Sequence, residues 1–155
     1  NSTDKFNLTM NNCYAEGYND STVHATADGS IKIKNCTFVN NCAPVNIAHK
    51  QSGTLDVNVE NSKFINCGKV DPSNDYFAPV RFVNNSSTGA LNVSLVNNTF
   101  TDTVGTNGDV LLGDYRSGKS SHAIKAKITT KKAIMVKSSN KDAYEYNGGT
   151  INIGK

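Results

Sequence analysis

The sequence predicts an all-β chain wound as a parallel β-helix (solenoid) of about five coils. Three observations predict it. A short phrase recurs along the chain, as "FNLTMNNCYA" (6–15), "GSIKIKNCTF" (29–38), "LDVNVENSKF" (55–64) and "LNVSLVNNTF" (91–100). Each copy alternates apolar and polar residues up to an asparagine. A second family of short apolar runs, "APVNIA" (43–48), "APVRFV" (78–83) and "DVLLGD" (109–114), follows the first at intervals.

The alternation has a period of two, so each phrase begins with a strand that buries one face. Aligned on Asn12, Asn35, Asn61 and Asn97, the inward residues fall in columns. Two places before the asparagine stand Met10, Ile33, Val59 and Leu95, and four places before stand Leu8, Ile31, Val57 and Val93. Three places after stand Ala15, Phe38, Phe64 and Phe100, on a second short strand. A weaker fifth copy, "AIKAKITTKKA" (123–133), puts Thr130 in the asparagine slot.

Copies separated by 23, 26 and 36 residues require loops of unequal length on a constant strand frame. A solenoid provides this, because equivalent residues of successive coils lie one strand spacing apart, about 4.8 Å. The asparagines are then expected to turn the chain between two strands. They are also expected to bond to one another in a buried amide ladder of Asn12, Asn35, Asn61 and Asn97. The stretch "INCGKVDPSNDYFAP" (65–79), longer than its counterparts and holding Pro72, reads as a loop bulging from one coil.

The 155 residues fit one domain spanning 1–155, with a basic C-terminal part, 115–155, read as a cap or a partner-docking segment. Residues 1–110 hold seven Lys/Arg against ten Asp/Glu, and residues 111–155 hold nine against three. This split reads first as a solvated, edge-blocking face and second as docking on an anionic partner, through Lys125, Lys127, Lys131 and Lys132. Aromatic residues are not interleaved with the lysines, so nucleic acid is not an expected partner. No run approaches the roughly 20 apolar residues of a membrane span. No signal-peptide pattern is present and the first residue is Asn1, so a processed protein or a fragment is expected.

Four cysteines, Cys13, Cys36, Cys42 and Cys67, lie in the N-terminal half with no CxxC pair, which argues against a zinc ribbon. Their places in the alignment favour disulfides Cys13–Cys36 and Cys42–Cys67 between neighbouring coils; the alternative is a reduced stack packed in the core. N-glycosylation sequons begin at Asn1, Asn7, Asn19, Asn35, Asn84, Asn85, Asn92 and Asn97. Asn7 and Asn92 are expected on outward strand faces and Asn84 on a loop with Asn85, which makes them the candidate acceptors. Asn35 and Asn97 are expected to be buried in the turn.

With these rows in hand, "NCTFVNN" and "NSKFINC" resemble the right-handed parallel β-helix repeat of microbial surface proteins, the pectate-lyase-like adhesin regions abundant in archaeal methanogens and gut bacteria. "FVNN" (38–41) is also similar to the FxxN phrase of chlamydial polymorphic outer-membrane proteins. The resemblance covers roughly residues 5–115 and implies the right-handed form. It also implies export, display on the cell envelope, and adhesion or spacing without catalysis or cofactor. Cell-surface glycans, proteins or copies of the chain itself are the implied partners.

The same fold hosts polysaccharide lyases and glycoside hydrolases, which need a basic proton abstractor with an Asp cluster, or converging carboxylates. Only Arg81, Arg116, Asp109 and Asp114 approach such a set. The two aspartates are five apart, so they do not share a strand face. His24, His49 and His122 read as isolated surface residues. Two other classes stay open beside adhesion: a self-assembling filament or surface-layer subunit, and a lyase-like carbohydrate-active domain.

Overall fold

The computed structural model describes residues 5–68, 77–113, 121–138, 144–147 and 151–154. These hold sixteen strands and no helix. The strands are β1 (Phe6–Asn11), β2 (Tyr14–Glu16), β3 (Val23–Ala25), β4 (Gly29–Lys34), β5 (Thr37–Val39), β6 (Val45–His49), β7 (Thr54–Glu60) and β8 (Lys63–Ile65). They continue with β9 (Val80–Asn84), β10 (Ala90–Val96), β11 (Thr99–Thr101), β12 (Val110–Leu112), β13 (Lys125–Thr129), β14 (Ile134–Ser138), β15 (Tyr144–Asn147) and β16 (Ile151–Gly154).

All pairings are parallel and they form three sheets. The first is β1-β4-β7-β10-β13-β15, the second β2-β5-β8-β11 and the third β3-β6-β9-β12-β14-β16. Through the first four rows the chain therefore visits the first, second and third sheets in turn and returns to the first one strand further on, and β13 to β16 then alternate between the first and third sheets. Parallel neighbours need a crossover, and here the other two sheets supply it.

The expected columns are the observed register. Leu8 pairs with Ile31, Ile31 with Val57, and Val57 with Val93. Met10 stands on Ile33, Val59 and Leu95 in the same way, and Ala15 on Phe38, Phe64 and Phe100. The fifth copy fits too: Val93 pairs with Ala126 and Leu95 with Ile128, and the Asn97 N–H donates to the Thr129 carbonyl. The three apolar runs of the second family all fall in the third sheet, in β6, β9 and β12.

These inward residues form one core, in which Phe38, Phe64 and Phe100 stack with ring centroids 5.1 and 4.9 Å apart. The spacing is the strand spacing, so the rings are nearly parallel because the register is constant. Gly29 opens β4 where a side chain would strike the Phe6 carbonyl oxygen, with φ +145°.

The part C-terminal to residue 121 is not a separate cap among the described residues. Strands β13 to β16 extend the first and third sheets to a sixth row. The bulging loop falls largely outside the described residues, as do Pro72, Asp114 and Arg116.

The amide ladder is not what the asparagines build. Asn12, Asn35, Asn61 and Asn97 have φ between +48° and +56°, the left-handed region. Asparagine tolerates that conformation better than other residues with a Cβ. It swings the side chain outward, so Asn12, Asn35 and Asn61 are exposed and Asn97 is half-exposed rather than buried. Asn35 Nδ2 donates to Asn11 Oδ1 at 3.4 Å and Asn61 Nδ2 to Glu60 Oε1 at 3.1 Å, so neither reaches the next asparagine of its column.

The residue that turns inward is the one after it. Cys13, Cys36, Ser62 and Asn98 line up inside the corner. Asn98 Oδ1 accepts the Ser62 N–H and its Nδ2 donates to the Val59 carbonyl; Ser62 Oγ accepts the Cys36 N–H. Asn61→Gly should therefore leave stability nearly unchanged, while Asn61→Ala should cost about 1–2 kcal/mol because alanine resists a left-handed backbone. Equal denaturant midpoints for Asn61→Ala and the parent would contradict this role.

Candidate functional site

A second left-handed corner, between the second and third sheets, was not legible as a row. Gly17, Asn40, Asn66 and Asp102 occupy it, with φ of +77°, +54°, +50° and +53°. Their N–H groups donate one pass onward, Gly17 to the Val39 carbonyl, Asn40 to Ile65 and Asn66 to Thr101, so the four stand in line. Again the following residue is drawn under the corner. Asn41 is buried, accepts the Tyr18 N–H and donates to the Ala15 carbonyl, as Asn98 does at the first corner.

Here the exposed amides do bond to one another. Asn66 Nδ2 donates to Asn40 Oδ1 at 2.7 Å, and Asn40 Nδ2 donates to Glu16 Oε1 at 3.3 Å. Tyr14 Oη donates to Glu16 Oε2 at 2.7 Å, and this bond to the carboxylate raises the phenol above the usual tyrosine range. A continuous polar row thus runs Tyr14, Glu16, Asn40, Asn66 across three passes. Two tyrosines stand at its head, Tyr14 63% and Tyr18 52% exposed.

Beside the row lies an open groove of ≈ 380 Å³, lined by Tyr18, Asn19, Asn40, Asn41, Cys42, Asn66, Gly68 and Val104. Planar amides at strand spacing, an aromatic face at one end and no lysine or arginine among the described residues of the lining suit a neutral, hydroxyl-rich ligand. A smaller hollow of ≈ 200 Å³ lies on the outer face of the first sheet, over Ser30, Lys32, Asp56, Asn58, Asn92 and Ser94.

The other site expectations are placed as follows. All four cysteines are thiols, with no disulfide among them. Cys13 and Cys36 are neighbours in one column, as aligned, since the Thr37 N–H donates to the Cys13 carbonyl. Their sulfurs turn instead to the carbonyls two residues back, Asn11 and Lys34. The pairing of Cys42 with Cys67 is out of register by one residue. The Gly68 N–H donates to the Asn41 carbonyl, which sets Cys67 beside Asn41 and Cys42 beside Gly68. Cys67 belongs to the main core and Cys42 to a small cluster with Ala43 and Phe77. Burial pushes the Cys36 and Cys67 thiols above the ordinary cysteine range, which suppresses the reactive thiolate.

Among the candidate glycan acceptors, Asn7 is exposed and accepts from Ser30 Oγ, and Asn92 is half-buried and donates to Asp56 Oδ1. Asn84 is ruled out by its surroundings. It is 2% exposed, its Nδ2 donates to the Gly89 and Ala123 carbonyls, and its Oδ1 accepts the Ser86 N–H. The nitrogen a sugar would need is already committed, and Asn85 beside it is exposed instead.

Lys125 and Lys127 project from the outer face of β13, whereas Lys131 and Lys132 are exposed in the turn that follows it. His49 is not a surface residue. It is 0% exposed, with Nε2 2.8 Å from Asp28 Oδ1, and Asp28 Oδ2 accepts the Gly53 N–H. A histidine ending a strand of the buried third sheet gave no signal of that partner, 21 residues earlier.

Arg81 is buried and its Nη1 donates to Asn46 Oδ1. Asp109 holds Thr103 Oγ1 on one oxygen and the Met135 N–H on the other. No group of three His, Cys, Asp or Glu side chains able to hold a metal occurs among the described residues. No helix among them is long and apolar enough to cross a membrane.

Comparison with protein-family models, curated proteins and solved structures returns no match.

Proposed function

We propose that the three sheets close into a right-handed parallel β-helix and that the chain is a non-catalytic, extracellular module of a cell surface that binds glycan. The observation that carries the reading is the second corner. An exposed, hydrogen-bonded row of amides, headed by the uncovered Tyr14, follows a groove lined by the uncovered Tyr18. Amide pairs match vicinal hydroxyls, and a tyrosine face covers the C–H side of a pyranose ring. The acidic ends of the row, Glu16 and Asp102, make neutral sugars better ligands than uronates. Arg81 and Asp109, two groups that a lyase would draw on, are both engaged in structural bonds, which supports binding over chemistry.

The test is titration of the chain with neutral oligosaccharides of the xylan, mannan and glucan types. Saturable binding is expected, and Tyr18→Ala should weaken it at least tenfold, about 1.4 kcal/mol. Asn40→Gly, which keeps the positive φ while removing the amide, should weaken it without unfolding the chain. Binding unchanged in both variants, or none to any of the three classes, would remove the corner as the site.

A second reading, self-assembly, draws on a different observation. The first row leaves Phe6, Leu8, Met10, Cys13 and Ala15 only partly buried, at the end of the sheets that β1, β2 and β3 form. With the charge split between the two parts of the chain, that end suits head-to-tail contact.

A further inference from the structure

The second sheet stops early. Sheets one and three each gain two strands after the fourth row, β13 and β15 in one and β14 and β16 in the other. Among the described residues the second sheet ends at β11. The cause lies in the chain: after β13 only residues 130–133 intervene before β14. Thr130 tightens that turn by donating to the Lys132 carbonyl and accepting the Lys132 N–H on the same oxygen. No residues are left to form a strand there. A notch one strand spacing deep, about 5 Å, is left in that row beside β11.

The wall of this notch is a strand edge with free bonding groups. The Thr99 N–H donates to the Ser62 carbonyl and the Thr101 carbonyl accepts from the Asn66 N–H, so both threonines face β8. In a parallel strand, alternate residues turn both backbone groups to opposite sides. The Phe100 N–H and C=O therefore point into the notch. The Phe100 ring ends the aromatic stack there, covered on one side by Phe64 and only partly buried. Lys131 and Lys132 are exposed in the turn that leaves the first corner in the next row, beyond Asn97.

We propose that this notch is a strand-addition site for an extended, acidic segment of a partner protein, carrying an apolar residue at its centre. Backbone groups would pair with Phe100, the central side chain would extend the Phe38–Phe64–Phe100 stack, and flanking carboxylates would meet Lys131 and Lys132. A second copy stacked end-on does not fit as well. Its opposite end is flush, with β1, β2 and β3 all in the first row, so it would reach β15 and β16 and leave the notch empty.

The probe is the blocked peptide acetyl-Glu-Thr-Phe-Thr-Glu-amide, followed by fluorescence anisotropy and by NMR exchange of the Phe100 amide. In the free chain that amide should exchange freely, and the peptide should slow it at least tenfold. Charge reversal with Lys131→Glu and Lys132→Glu, both at exposed positions, should weaken this peptide at least tenfold and favour its Lys-Thr-Phe-Thr-Lys counterpart. The peptide with both threonines replaced by proline should not bind. No saturable binding at millimolar peptide, binding that leaves Phe100 exchange unchanged, or indifference to the charge reversal would overturn the site. So would a Phe100 amide already protected in a self-associated free chain. None of these results depends on glycan binding at the other corner.

Discussion

Phe64→Ala is expected to destabilise the chain by about 3–5 kcal/mol, measured by denaturant unfolding. Phe64 is fully buried and is the middle ring of three, with Phe38 on one side and Phe100 on the other. Removing it deletes two stacking contacts and opens a cavity between rows whose spacing the backbone ladder fixes, so collapse cannot fill the space. Phe100→Ala should cost less, because Phe100 is only partly buried and stacks on a single ring, that of Phe64. Equal losses for the two variants would mean that the stack does not end at β11.

Asn98→Leu is the second large effect. The Asn98 amide serves two groups in the preceding row, accepting the Ser62 N–H at 2.9 Å and donating to the Val59 carbonyl at 2.8 Å. Leucine has similar bulk but leaves both without partners, at about 1–3 kcal/mol for each buried group. Asn97→Gly, one residue earlier, should change stability little, since that side chain serves only the turn. The contrast between neighbours in the same dipeptide separates an inward hydrogen-bonding role from an outward conformational one. A larger loss at Asn97 than at Asn98 would reverse the assignment.

The frame of the fold was legible because burial leaves a period-two signature: Leu8 and Met10, Ile31 and Ile33, Val57 and Val59, and Val93 and Leu95 sit where the alternation puts them. The fixed offset to Phe38, Phe64 and Phe100 carried the second sheet in the same way. The asparagine column was found in the right place and does turn the chain, but the buried amide ladder expected of it is not there. A sequence shows that asparagine recurs, but not whether the amide or the backbone angle is being used. The sign of φ decides that, and it sends Asn61 outward and Ser62 inward.

The second corner was hidden because its row mixes Gly17, Asn40, Asn66 and Asp102, residue types united by conformation rather than by chemistry. Cys42 and Cys67 misled for a related reason. Cys42 stands four residues after Phe38 and Cys67 three after Phe64, and in a constant register that one-residue difference is enough to place them in separate clusters. Asn84 and His49 are the last residues of β9 and β6 in the third sheet, whose strands are buried on both faces, so that polar residues are retained there only by specific partners. Periodicity carries no information about such partners.

The stacked register is tested most directly by cross-linking two outward positions that it makes neighbours. Asn58 in β7 pairs with Ser94 in β10. Parallel neighbours about 4.8 Å apart fall within the Cα range a disulfide accepts. In a chain with Cys13 replaced by serine, Asn58→Cys with Ser94→Cys should form a disulfide readily under mild oxidation and keep the native melting transition. Asn58→Cys with Val93→Cys, whose second position faces the core, should not. A disulfide in the second pair and none in the first would contradict the register on which the corner rows, the aromatic stack and the notch beside β11 all depend.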